Sequence, residues 1–233
     1  MAAALGDLDL VNSTLDREPE SVRIRVSEEY FPLIGLKNGG TIYQWELGWY
    51  VSAHQVARKF GHEDVLSALM ERSPADVKLL AFCWLGEESA LDGLLSENPG
   101  IANSLSAADK KQIAHAARDN ELNAVKLMLR AGLPVDSRSQ HNGTVLHWAG
   151  WHGNLDMVKL LVAEGAPLDD KENDYDGTPL DWTIHASVNG WCPAAGDYPG
   201  CVEALLSAGA TVPKKTSGSA AVRQVLARFG FAD

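Results

Sequence analysis

The sequence is short of cysteine, of positive charge and of long apolar runs, and each shortage excludes a class of function. Cys83, Cys192 and Cys201 are an odd set at no paired spacing. That pattern gives no disulfide framework and points to a reducing compartment, so a cytoplasmic location is expected. Lys and Arg number 20 against 31 Asp and Glu, a net charge of −11. Nucleic acid and anionic membrane surfaces both ask for clustered Lys and Arg, so neither partner is expected. No stretch approaches the roughly eighteen apolar residues of a membrane span, and no basic segment precedes an apolar one at the start as in a signal peptide. Glycine-rich phosphate loops, C-x-x-C, H-E-x-x-H and G-x-S-x-G are missing, and no cofactor is expected.

What is present is repetition. Asn142–Asp169 reads NGTVLHWAGWHGNLDMVKLLVAEGAPLD. Thr144 is a natural N-cap ahead of a short helical run from Leu146 to Trp151. A break at His152-Gly153-Asn154 precedes a second amphipathic run from Leu155 to Glu164, and Gly165 closes it. Neither helix is long enough to stand alone in water, so each must bury its apolar face on a neighbouring copy. Copies are found on both sides. Gly132-Leu133-Pro134 recurs as Gly165-Ala166-Pro167, a period of 33 residues, and Leu146 recurs as Leu180, a period of 34. Phe82–Gly86 and Ala57–Val65 carry the pattern upstream. Ala4–Val11 is a partial first copy, and Ser219–Phe229 is a single helix with polar Arg223, Gln224 and Arg228, as suits a terminal cap. The chain begins inside a helix pattern without a cap, and is expected to be a piece of a longer protein.

The period and the pattern Thr144-Val145-Leu146-His147-Trp148-Ala149, with Thr178-Pro179-Leu180-Asp181-Trp182, Gly61-His62 and Gly209-Ala210, resemble ankyrin repeats. The resemblance covers nearly the whole chain. It implies an all-α solenoid of about five to six helix pairs with short β-hairpin fingers. The expected layout is one ankyrin-repeat domain over 1–233. A partial repeat occupies 1–19. An enlarged finger spans 20–51, with strands at Val22–Val26 and Thr41–Trp45 about a turn at Asn38-Gly39-Gly40. Repeats follow at 52–73, 77–103, 110–136, 142–169 and 176–212, and a cap helix at 216–233. The last repeat carries a loop insertion at 187–200. Gly39–Tyr43, Ala53–Val65 and Thr178–Tyr198 also resemble segments of a group of bacterial ankyrin-repeat proteins with an enlarged first finger and a late G-W…G-D-Y loop.

In ankyrin repeats the residues just before the mid-unit glycine face the concave groove. Carried over, these are Lys59, Trp84, Arg118 with Asp119, Trp151 with His152, and His185. Solvated faces seldom spend tryptophan this way, whereas aromatics and Arg are favoured at binding hot spots. Trp148, Trp182, His62 and His147 read as repeat scaffold. His54, where leucine is usual, reads as a satisfied core histidine. His115, His152 and His185 recur one repeat apart, but repeats stack roughly 10 Å apart while zinc needs nitrogens within about 2.1 Å, so no metal site is expected.

Two functions remain open. One is a monomeric binding module that seats a protein partner in an aromatic and charged groove. The other is a metal-independent acid/base enzyme (a lyase, isomerase, cyclase or hydrolase) or a receptor for a small apolar or aromatic ligand. There, Tyr43, Trp45, Glu46 and Trp49 of the finger and Trp191, Asp197 and Tyr198 of the late loop would wall a pocket. His152, His185, Asp119 and Arg118 would be its acid, base and anion-stabilising groups.

Overall fold

A computed structural model describes residues 1–27, 42–191, 193–212 and 217–231, with the backbone alone for Ile42 and Tyr43. Residues 28–41 of the enlarged finger, and Cys192, lie outside the described residues. The chain divides into two compact units, Met1–Ser104 and Leu105–Asp233. No described helix is long and apolar enough to cross a membrane.

In the first unit α1 (Ala2–Leu5), α4 (Ala53–Lys59) and α6 (Ala75–Leu85) form one layer, α2 (Leu8–Arg17) and α5 (Glu63–Arg72) the other, and α7 (Glu88–Glu97) packs on α6. Ser52 starts α4 with a reciprocal capping box to Gln55, which satisfies donors the helix start would otherwise leave bare. Val11, Leu15, Val56, Leu66 and Leu69 fill the space between the layers. The two strands expected in the finger do not form. Pro19–Arg23 is a 3-10 turn, and Ile42–Leu47 is helix α3. The burial pattern gives the reason. Gln44 and Leu47 are buried while Trp45 and Glu46 between them are exposed, a period of three rather than two. Among the described residues the finger pairs at its base, where Val26 N–H donates to Val51 O at 2.9 Å and Tyr50 N–H to Val26 O at 2.7 Å.

In the second unit α9 (Gln112–Arg118), α11 (Val145–His152) and α13 (Pro179–Asn189) make the inner layer. Behind them lie α10 (Leu122–Arg130), α12 (Leu155–Ala163) and α14 (Tyr198–Ser207), with α15 (Ala220–Arg228) against α14 and the short α8 (Ala107–Lys110) ahead of α9. Thr144 and Thr178 open α11 and α13 with capping boxes to His147 and Asp181. His147 is fully buried. Its Nε2–H donates to Gly177 O at 2.9 Å and its Nδ1 accepts from Thr144 N–H at 3.1 Å, so one imidazole ties a helix start to the next finger. Burial lowers its pKa, which keeps Nδ1 free to accept. The fingers are turns rather than extended hairpins, and strand pairing in this unit is limited, among the described residues, to one antiparallel bridge between Arg138 and Thr144. α13 runs through Ser187, which holds the place of Gly153 in the repeat before it, and ends at Asn189, so the first residues of the expected 187–200 insertion are helical. The cap helix starts at Ala220, buries Val222, Val225 and Leu226, and exposes Arg223, Gln224 and Arg228.

α11 reaches α13 through Gly150. A Cβ there would stand 2.1 Å from Thr183 Oγ1 and 3.1 Å from the Pro179 carbonyl. Gly150→Ala gains about 1 kcal/mol of helix propensity, but the collision forces the two helices apart. A net loss of about 1–3 kcal/mol is expected, read as a lower urea midpoint for the variant.

In the first unit His54 is fully buried beside Ser73. Ser73 Oγ–H donates to Leu69 O at 2.7 Å, so the 2.8 Å contact must be His54 Nε2–H donating to Ser73 Oγ. Nδ1 has no partner among the described residues, and burial holds the His54 pKa down at about 4. The folded chain therefore resists a proton that the unfolded chain takes up near pH 6.5. The stability this gives is complete above that pH and is lost as pH falls toward about 4, up to about 3 kcal/mol. Unfolding curves of His54→Leu taken between pH 7 and 4 are expected to lose less stability on acidification than those of the wild type.

Candidate functional site

The second unit holds an open cleft of about 480 Å³ over the finger side of α11 and α13. Trp182, on the first turn of α13, is its hub. Its ring meets Trp148 edge-on at 5.3 Å and 87°, Trp151 at 6.0 Å and 73°, and Tyr175 at 5.6 Å and 65°. Trp191 closes another side, 6.0 Å from Trp148 and 5.9 Å from Trp151. His185 stacks on Trp151 at 6.1 Å and 23°. Gln140, His141 and Asp181 complete the lining. Trp148 and Trp182 are buried, whereas Trp191 and Tyr175 are 61% and 63% exposed. The buried rings thus form a floor and the exposed ones a rim.

Each wall has a local cause. Trp148 and Trp151 stand three apart on α11 and so share a face. The late loop is brought in by a glycine pair. Gly196 backs onto Gly153, where a Cβ on either residue would come within 3.0 Å of the other's backbone or its neighbour's. Asp197 N–H donates to Gly153 O at 2.9 Å. This seam hangs Trp191 over α11, with His152 edge-on to it at 5.4 Å. Tyr175 is held by its finger. Asn173 Oδ1 accepts from Tyr175 N–H at 3.1 Å, and Asn173 Nδ2 donates to Gly177 O at 2.7 Å. His141 Nδ1 lies 3.2 Å from Asp174 Oδ2 and 3.3 Å from Tyr175 Oη. Arg138 clamps the two fingers together with a two-pronged ion pair to Asp170, one arm at 2.9 Å, and a bond to Glu172 O at 2.9 Å. Burial works against ionisation of Asp170, but the Arg138 guanidinium outweighs it and the pKa falls.

Among the residues singled out from sequence, the cleft gathers Trp151, His185 and Trp191. Arg118, Asp119 and His152 lie behind it and are engaged with one another. Arg118 is buried and donates from Nε to Asp119 Oδ1 at 2.8 Å. His152 Nε2–H donates to the Arg118 carbonyl at 2.6 Å. Burial raises the Asp119 pKa against the pull of Arg118 and lowers that of His152. A third of the Asp119 side chain meets solvent, so screening limits what its shift is worth. Asp197 and Tyr198 do not line the cleft either. Asp197 caps α14 through Gly200 N–H at 2.9 Å, and buried Tyr198 donates its hydroxyl to Trp151 O at 3.1 Å. Lys59, Trp84, Trp45, Glu46 and Trp49 belong to the first unit. There Lys59 donates to Glu46 O and lies 5.8 Å from the Phe60 ring, and Trp49 meets Tyr50 at 6.3 Å. The side chain of Tyr43 lies outside the described residues. Among the described residues no group of three or more His, Cys, Asp or Glu could hold a metal. Burial pushes the Cys201 thiol up to about 12, which leaves it unreactive at neutral pH.

Sequence reading missed Gln140, His141, Tyr175 and Asp181, and treated Trp148 and Trp182 as scaffold alone. The available signal was position. Gln140, His141 and Tyr175 sit in the fingers just ahead of the two Thr-capped helices, and Trp148 and Trp182 recur at the 34-residue period on the first turns of those helices.

A model for ankyrin repeats, three copies, matches residues 53–174 and again 113–216. Palmitoyltransferase ZDHHC13 of Homo sapiens is 31% identical over 94 residues, 38% of this chain and 15% of that protein. Palmitoyltransferase ZDHHC17 of Rattus norvegicus is 36% identical over 55 residues, 24% of this chain and 9% of that protein. The chain thus matches only a small part of these relatives, which are animal rather than bacterial proteins. The ankyrin repeat domain of human ASB11 aligns with a TM-score of 0.49 and 22% identity, covering 97% of this chain and 95% of that one. With family models spanning most of its length and capped helix pairs stacked at the matching period, the chain belongs to the ankyrin-repeat family.

Proposed function

We propose that the chain is a protein-binding module whose second unit docks a partner on the tryptophan cleft. Ankyrin repeats generally mediate protein–protein binding, which is the coarse expectation here. One observation carries the finer reading. The buried indole N–H groups of Trp148, Trp151 and Trp182 have no acceptor among the described residues, and all three rings line one cleft. A buried donor left unpaired costs about 1–3 kcal/mol. Phenylalanine, a smaller ring, would pack there without that cost, so hydrophobic packing alone does not account for indoles at these positions. A surface that offers broad, rigid aromatic faces to a partner does. Solvated Trp191 and Tyr175 at the rim add apolar area that a monomer gains nothing by exposing.

The acid/base reading has less to stand on. His152 and Asp119 are tied to Arg118, and Asp181 Oδ2 accepts from both Thr178 N–H and its hydroxyl at 2.9 Å. Palmitoyl transfer, the activity in the relatives' names, is not carried over, because the match spans 15% or less of those proteins.

Trp191→Ala combined with Tyr175→Ala removes the rim while leaving the helix pairs intact. Partners captured by the wild-type chain are expected to dissociate at least about tenfold faster from this variant, with an unchanged melting temperature. Undiminished capture would place docking elsewhere and overturn the reading.

A further inference from the structure

We propose that the cleft seats an arginine side chain of the docked partner. This rests on the docking reading above and names the group that the cleft selects.

Charge sets the sign of that group. No Lys or Arg lines the cleft among the described residues, whereas Asp181 does. The finger that carries Tyr175 reads Asp169-Asp170-Lys171-Glu172-Asn173-Asp174-Tyr175-Asp176. Its five acids outnumber Lys171 and the Arg138 that clamps it. Asp174 and Asp176, on either side of Tyr175, are both exposed. A cleft bordered by one sign of charge draws in the other. A basic side chain is attracted to this rim, and an acidic one is repelled.

The acceptors choose among basic side chains. Asp181 Oδ2 accepts both bonds from Thr178, at 2.9 Å each, which leaves Oδ1 without a donor among the described residues. His185 stands one turn further along α13, so it shares the face of Asp181. It is exposed, and its stacking on Trp151 uses the ring face rather than the nitrogens at the edge. Gln140 belongs to the finger ahead of α11 and is also exposed. Carboxylate, imidazole and amide acceptors thus come from two elements, a helix and a finger. That spread suits a donor that fans out. A guanidinium carries five N–H groups in one plane, whereas an ammonium is a compact point charge with three. The flat faces of a guanidinium carry no donors and are weakly hydrated, so it stacks on an aromatic ring while its edge is hydrogen-bonded. Rings for that purpose stand at the rim, where Trp191 and Tyr175 are 61% and 63% exposed. Buried Trp148 and Trp182 contribute floor only. A cleft of about 480 Å³ leaves room for the whole side chain.

The test titrates the full chain, by tryptophan fluorescence, with three acetylated and amidated Gly-Ser peptides that differ at one central residue. That residue is arginine, lysine, or citrulline, which keeps the planar shape and loses the charge. The arginine peptide is expected to bind at least about fivefold tighter than the lysine peptide and tenfold tighter than the citrulline peptide. Asp181→Asn keeps an acceptor for the Thr178 cap and removes the charge. It is expected to weaken the arginine peptide several-fold and to leave citrulline binding unchanged. Trp191→Ala/Tyr175→Ala is expected to abolish the preference for arginine over lysine. Equal binding of lysine overturns the guanidinium, and equal binding of citrulline overturns the charge. Agmatine bound as tightly as the arginine peptide overturns the partner-borne source in favour of a free small molecule. Partner capture that stays sensitive to the rim variant while the three peptides bind alike, or not at all, sinks this proposal alone. Capture that ignores the rim sinks the docking reading with it.

Discussion

The site depends on how closely α11 approaches α13. Repeats are held apart by whatever side chains face each other across the inner layer, and at Gly150 there is none. Thr183 moves into that gap and donates its hydroxyl to Pro179 O at 2.7 Å, which satisfies a group that would otherwise be buried bare. The approach has two effects at once. It seals the apolar core beneath, where Leu146, Leu180 and Ile184 are almost wholly buried. On the finger side it brings Trp148 and Trp151 of one helix against Trp182 of the next, within 6.0 Å. The same absence of a side chain that packs the solenoid thus creates the aromatic junction on its face.

Two further devices turn that junction into a cleft, one of backbone and one of side chains. One is the seam of Gly153 against Gly196, which pins the late loop across the end of α11 and carries Trp191 over the junction. The other is the clamp of Arg138 on Asp170 and Glu172, which fixes neighbouring fingers so that His141 and Tyr175 stand together. A strained turn accompanies it, with His141 and Asn142 both at left-handed φ of 56° and 54°. Such turns hold only where surrounding contacts over-determine them. Here the Asp174 N–H bond to His141 O at 3.1 Å and the Arg138 bond to Asn142 O at 3.1 Å supply those contacts.

The repeat architecture was open to reading from residues alone, because it is written in local chemistry. Thr144 and Thr178 as caps, the periods of 33 and 34, and the apolar faces of α10 and α12 each act within a few residues of chain. The two strands expected within 20–51 were misread for the opposite reason. Alternation in Val22–Val26 resembles a strand, but Pro19 starts a 3-10 turn, and Val22 and Val26 are both buried in the core with Leu15 and Val56. Tertiary burial overrode a short local pattern. The site was half legible. Trp151, His185 and Trp191 stood out because the repeat pattern does not require them. Tyr175, His141 and Gln140 did not, since a finger residue acquires meaning only when its neighbour's position is known.

Arg118, Asp119 and His152 show what sequence position leaves out. By phase they should face a groove, and by type they suit proton transfer. Yet a buried guanidinium must be paired, and the nearest partners are the residues beside it. Asp119 supplies the charge, and His152 reaches one repeat back to take the Arg118 carbonyl. So engaged, the three join α9 to α11. Trp148 and Trp182 run the other way. By phase they are scaffold, and by burial they behave as scaffold, yet both also line the cleft. A polar side chain spends its hydrogen bonds once. An aromatic ring can pack into a core and border a cleft at once, as Trp148 and Trp182 do.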